Sequence, residues 1–363
     1  MPIAKVHRIS ASAPNDVSGI EAAISSGRVD PAGIVAILGK TEGNGNVNDF
    51  TRGFATQTIT LMLEKHLDER AKEVCLVMSG GTEGGMAPHW TVFERAEGSG
   101  GGGPALAIGR AHTPLLKPEQ LGRAAQVDQV TEGVKTAMAD AGITDAADVH
   151  FVQIKCPLLT AQRIAEAEAR GETVATRDTL KSMSLSRAGS ALGVAAALGE
   201  IARDRIADTA IGADTSLWSG RASASAGVEL MNHEIVVLGM SAAWGGPLAI
   251  DHAVMSDGID IEPVRAALAR LGLTASGQLS EADRMRVTAV LAKAEASHGG
   301  ILRGYRHTML DDSDISATRH ARAFVCGALA SLIGHAEIYV SGGAEHQGPD
   351  GGGPIAIIVE RNW

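Results

Sequence analysis

Residues 77–85 read VMSGGTEGG and residues 340–353 read VSGGAEHQGPDGGG. The two stretches share an apolar lead, Ser-Gly-Gly, and a glutamate four places after the serine. Between them, residues 223–229 read SASAGVE, which keeps the serine, a small residue after it and the glutamate four places on. Three copies of one pattern point to a chain built three times over, because self-similarity at long range is the mark of repeated supersecondary units.

Working outward from each serine extends the repeat. Upstream lie three strand-like runs that end in lysine: IVAILGKTEG (34–43), VHFVQIKCPL (149–158) and VTAVLAKAEA (287–296), carrying Lys40, Lys155 and Lys293. The alanines of the third run also suit a helix, but its place in the repeat makes it a strand. Each lysine is followed by a helical pattern with an arginine near its start, giving Arg52, Arg187 and Arg319. Asp49, Ser184 and Ser316 are the expected N-caps, so each arginine is expected near the positive end of a helix dipole. The thirds open alike, at MPIAKVHRIS (1–10), GPALAIGRAH (103–112) and GPLAIDHAVM (246–255), and close alike, at HWTVFERA (89–96), HEIVVLGM (233–240) and PIAIIVER (354–361). The expectation is an α/β fold of three homologous units, 1–103, 104–246 and 247–363, around a pseudo-threefold axis with a central site. The run GSGGGGP (98–104) reads as a linker.

Composition sets limits. The chain has 363 residues, a length that calls for two or three domains. Aromatic residues make up 3% while glycine is abundant, so close packing through small side chains is expected. A net charge of −10 argues against a phosphate-backbone binder and thus against nucleic-acid partners. No run of about 18 apolar residues suits a membrane span, and the N-terminus lacks a secretion signal. Three widely spaced cysteines fit a reducing compartment, and the protein is read as cytoplasmic.

The residue types at the matched positions carry the chemistry. Core-building repeats reuse apolar residues, whereas Lys, Arg and Ser are costly to bury without a purpose. A buried lysine beside an arginine loses its proton more readily, so a Ser-Lys pair flanked by Arg makes a nucleophile and its base. Gly80, Ala226 and Gly342, the small residues after the serines, leave backbone N–H groups open to hold an oxyanion, worth about 3 to 4 kcal/mol of barrier. Three such sets around one point suit a small flat ring with three carbonyls, a cyclic imide or triazine trione, opened by amide hydrolysis. Lys155 has the most apolar setting of the three lysines, so burial is expected to lower its pKa most. That marks Ser225 and Lys155 as nucleophile and base, with Ser79, Ser341, Lys40 and Lys293 holding substrate beside the three arginines.

The segments GKTEGNGNVNDFTR, VMSGGTEG, FVQIKCPLLT, SASAGVEL, KAEAS, SDISATRHARA and YVSGGAEHQGPDGGGP resemble those of the cyanuric acid hydrolase and barbiturase family over nearly the whole chain. The resemblance implies three similar α/β units around a pseudo-threefold axis, three Ser-Lys pairs and three arginines at the centre, and opening of cyanuric acid to carboxybiuret and then biuret. It favours the same middle pair and implies no catalytic metal or organic cofactor. It also implies a structural Mg²⁺ or Ca²⁺ at Glu295 with Ala344, Gln347, Gly348, Pro349 and Gly352, and a homotetramer. A glycine-rich loop with backbone carbonyls, one carboxylate and one amide suits such a hard cation, though a plain solvated loop is an equal reading of the residues.

Other readings are weaker. ILGKT (37–41) resembles the end of a phosphate loop, but Ile34 stands where that motif needs glycine. Cys156 alternates with Lys155 along a strand and so points away from it, as a structural thiol. The twelve histidines show no His-x-His or HExxH spacing and read as surface or packing residues. Two alternatives stay open: a barbiturase, and a non-catalytic binder of a small ring on the same frame.

Overall fold

The computed structural model describes residues 1–98 and 103–361. The expected linker lies largely outside them, at residues 99–102. The first third folds as β1 (Pro2–Ser10), α1 (Ser18–Ser25), β2 (Ile34–Thr41), α2 (Phe50–Leu67), β3 (Cys75–Gly80) and β4 (His89–Glu97). The second runs β5 (Ala105–His112), α3 (Ala124–Asp140), β6 (Val149–Pro157), α4 (Ala161–Ala169), α5 (Thr179–Ala197), β7 (Ala222–Gly227) and β8 (Glu234–Ser241). The third runs β9 (Leu248–Met255), α6 (Glu262–Arg270), α7 (Glu281–Arg286), β10 (Val287–Ala294), β11 (Ile301–Leu302), β12 (Tyr305–Arg306), α8 (Ala317–Ile333), β13 (Tyr339–Gly342) and β14 (Gly353–Glu360).

Each third supplies one four-stranded sheet, and the strand order is the same in all: β1-β4-β2-β3, β5-β8-β6-β7 and β9-β14-β10-β13. The lysine strand and the serine strand run parallel in each, joined by the arginine helix as a crossover. Alternation divides each strand between two environments. In β2, Ala36 and Leu38 enter a central core shared with Leu106, Phe151 and Ile235 of the second sheet and Leu291, Ala356 and Ile358 of the third. Ile37, between them, packs instead with Ile59 and Leu63 of α2. The inner faces of three sheets thus meet, and helices cover the outer faces. No helix among the described residues is long and apolar enough to cross a membrane.

The strand reading of 287–294 holds despite its alanines, because β10 is sandwiched between β13 and β14. Two of the three expected N-caps hold their positions, and the third does not. Asp49 caps α2, accepting from the Thr51 N–H at 3.0 Å, and Ser316 occupies the N-cap position of α8 without a side-chain cap bond. Ser184 caps nothing: α5 begins five residues earlier, where Asp178 accepts from Leu180 and Lys181.

Candidate active site

Strand register places each lysine directly opposite its serine: Lys40 with Ser79, Lys155 with Ser225 and Lys293 with Ser341. The parallel ladder that sets this pairing also points both side chains to one face. All three lysines are buried, and all three reach across to the next unit in the same rotational sense. Lys40 Nζ donates to the Val340 carbonyl at 2.8 Å, Lys155 to Met78 at 2.8 Å and Lys293 to Ala224 at 2.9 Å. Each acceptor is the residue just before the neighbouring unit's serine.

The pairs are not equivalent. Lys40 and Lys293 donate to their own serine oxygens at 3.2 and 3.1 Å. Ser225 instead donates its hydroxyl to the Met78 carbonyl at 3.3 Å, the acceptor that Lys155 uses. Burial pushes every lysine pKa down, Lys40 well below the usual range and Lys293 to about 7. Lys155 also falls through burial, but the expectation that it falls furthest is not met. The Glu229 carboxylate, 3.3 Å from its ammonium, offsets part of the loss, a neighbour that the apolar spelling of β6 does not reveal.

A small polar pocket gathers Ser79, Ser225 and Ser341 with Gly80, Ala226, Gly342 and the guanidinium groups of Arg52, Arg187 and Arg322. Arg319 is not among its lining residues. It sits one turn earlier on α8 with its side chain 34% exposed, whereas Arg322 is 3% exposed. Burial depth on the helix, which the first-arginine reading of the repeat could not see, separates the two. Arg52 is the third residue of α2, but Arg187 and Arg322 lie well inside their helices, so a shared helix-start dipole does not explain the set.

The glutamates four places after the serines complete the arrangement. Glu83 of the first unit binds Arg322 of the third at 2.6 and 2.8 Å, Glu345 of the third binds Arg187 of the second at 2.6 and 2.8 Å, and Glu229 of the second lies 3.4 Å from Arg52 of the first. Their constant spacing in the sequence was the available signal. The Ser-Gly-Gly spelling follows from this ring. Gly81 and Gly343 adopt φ of +105° and +75°, and a Cβ on either would lie 2.3 Å from Arg322 Nη2 or 2.5 Å from Arg187 Cζ.

Of the expected cation residues, Glu295 directly follows β10, while Ala344, Gln347, Gly348, Pro349 and Gly352 lie in the loop between β13 and β14. Glu295, Ala344, Gly348 and Pro349 line a common cavity with Glu345. Burial and the Glu345 charge together push the Glu295 carboxyl up, so a divalent cation beside it would relieve a real electrostatic cost. Glu295 Oε2 accepts from the Ala344 N–H at 2.9 Å, and its remaining lone pairs and the loop carbonyls suit a hard ion. The Gln347 side chain is committed elsewhere, since its oxygen accepts from the Ala224 N–H at 2.7 Å and its amide donates to the Gly343 and Glu345 carbonyls. Gln347 could serve such an ion only through its backbone.

Residues 5–360 match the family described as amidohydrolase ring-opening protein. The cyanuric acid amidohydrolase of Azorhizobium caulinodans is 65% identical over 362 residues, covering 99% of both chains. That of Bradyrhizobium sp. (strain ORS 375) is 63% identical over 364 residues, covering 99% of this chain and 98% of the relative. Among solved structures, the A. caulinodans cyanuric acid hydrolase superposes with a TM-score of 0.95 at 65% identity over 100% of both chains. A second cyanuric acid hydrolase, described as an evolutionary innovation by structural concatenation, superposes at 0.94 with 49% identity over 99% of this chain and 100% of its own. A match along almost the entire length, with the threefold strand order and the lysine-serine register intact, means that the chain belongs to the ring-opening amidohydrolase family.

Proposed function

We propose that the protein is a cyanuric acid amidohydrolase that opens the triazine ring with Ser225 as nucleophile and Lys155 as base. The observation that carries this reading is the direction of the three serine hydroxyls. Ser79 and Ser341 accept from a lysine Nζ, which leaves their O–H groups to donate to ring carbonyls. Ser225 sends its O–H back into the protein at Met78, which turns its lone pairs toward the pocket.

In the first step the Ser225 hydroxyl turns from the Met78 carbonyl toward Lys155 Nζ, its partner across the parallel ladder, and Oγ attacks a ring carbonyl carbon as its proton passes to that amine. The resulting oxyanion is held by backbone N–H at Ala226 and by the guanidinium groups. Collapse breaks the ring C–N bond, and Lys155 returns the proton to the leaving nitrogen. Water then cleaves the acyl-enzyme to carboxybiuret, which loses carbon dioxide to give biuret. Arg52, Arg187 and Arg322 meet the three-carbonyl perimeter, and their glutamates fix the guanidinium planes, so orientation is set before the ring arrives. Glu295 and the loop carbonyls would hold a structural Mg²⁺ or Ca²⁺ that stiffens the chain beside Ser341 and Arg187, outside the reacting groups.

Incubation with cyanuric acid and, separately, barbituric acid, following loss of ring absorbance and appearance of biuret, tests the reading. Turnover of cyanuric acid is expected. Turnover of barbituric acid alone would make the protein a barbiturase, and turnover of neither would leave a non-catalytic ring binder.

A further inference from the structure

Away from the pocket, where the second and third units meet, three metal-ligating side chains converge. His150 is the second residue of β6, and Asp251 with His252 lies on β9. His150 Nδ1 and His252 Nδ1 are 2.9 Å apart, and Asp251 Oδ1 lies 3.5 Å from the first and 4.0 Å from the second. One point in the plane of those three atoms is about 2.1 Å from each, which is the bond length that divalent zinc makes to imidazole nitrogen and carboxylate oxygen. We infer that His150, Asp251 and His252 form a site for a borderline-soft divalent metal of the Zn²⁺ type, clamping the second unit to the third.

The surroundings fit that use. The other Asp251 oxygen is held by Arg270 Nε at 2.5 Å, the kind of outer partner that fixes a ligating carboxylate. The three side chains are 17%, 13% and 29% exposed, which gives an ion a way in and leaves room for a water ligand. Two imidazoles and one carboxylate select nitrogen-seeking metals over Mg²⁺ or Ca²⁺. The site therefore differs in chemistry from the all-oxygen loop at Glu295.

Calorimetric titration of the untagged full-length protein with ZnCl₂, in buffer holding excess MgCl₂ to occupy the oxygen loop, tests the assignment. The wild type is expected to take up one equivalent more Zn²⁺ than His252→Ala, and to gain thermal stability with Zn²⁺ that the variant lacks. His150→Ala, near the start of β6 and on the other unit, should show the same loss, so it decides the matter if His252→Ala fails to fold. Equal stoichiometry and equal thermal shifts in the wild type and the folded variants would overturn the site.

Discussion

Lys155 Nζ and Ser225 Oγ donate to one acceptor, the Met78 carbonyl, at 2.8 and 3.3 Å, whereas the other two lysines donate to their own serines. A nearly threefold frame is thereby broken at one position. A lysine Nζ that donates to a serine makes that serine a fixed donor toward substrate. A serine that donates elsewhere keeps its lone pairs free for attack.

Ser225→Ala is accordingly expected to lower kcat by about 10⁴-fold or more with unchanged circular dichroism, since loss of a nucleophile removes the covalent route. Ser79→Ala and Ser341→Ala should retain measurable turnover with raised KM, losing one ring contact each. An active Ser225→Ala enzyme would refute the assignment.

The carboxylate of Glu229 supports the charged form of Lys155, whose pKa burial has lowered. Glu229→Gln removes that support, so the lysine pKa drops further. Because the base must be neutral, the acidic limb of the kcat/KM profile should move to lower pH in the variant. A limb that stays in place or moves upward would show that Lys155 is not the titrating base.

Arg322 and Arg319 share Glu83 but differ in depth. Arg322→Lys should raise KM by about 100-fold, because a point charge cannot replace a planar fork. Arg319→Ala should stay within about threefold of the wild type, as Arg322 still makes two bonds to that carboxylate. Equal damage from both substitutions would place Arg319 in the site after all.

Burial, with the Arg187 charge beside it, lowers the Lys293 pKa to about 7 against 10.5 for the free side chain. Between those values the unfolded chain binds the extra proton, so this residue makes stability rise with pH, by up to about 1.4 kcal/mol per unit. Lys293→Met should flatten the pH dependence of the urea midpoint between pH 7 and 10. The same slope in both proteins would contradict a neutral buried lysine.

Much of the site was legible before folding. Apolar runs of strand length ended in lysine three times, and a parallel crossover back to a serine strand constrains the register, so Lys40, Lys155 and Lys293 could be matched with Ser79, Ser225 and Ser341. Strand alternation then put each pair on one face. The glutamates at a fixed distance after the serines were visible too, though not their partners. Helix phase was harder. Arg319 and Arg322 are both spaced to reach the same side of α8, and only the depth at which the helix packs on its sheet buries one and exposes the other. The start of α5 was misread for a related reason, as Asp178 out-competes Ser184 for the capping position.

The sequence by itself determined the triplicate plan and the lysine-serine pairs, because both follow from local period and residue type. The tertiary structure alone decided how one unit's lysine and glutamate meet the next unit's strand and arginine, which serine stands apart, and where His150 finds His252. Those relationships join residues about 70 to 300 positions apart in the chain, where spacing carries no geometric information until the sheets pack.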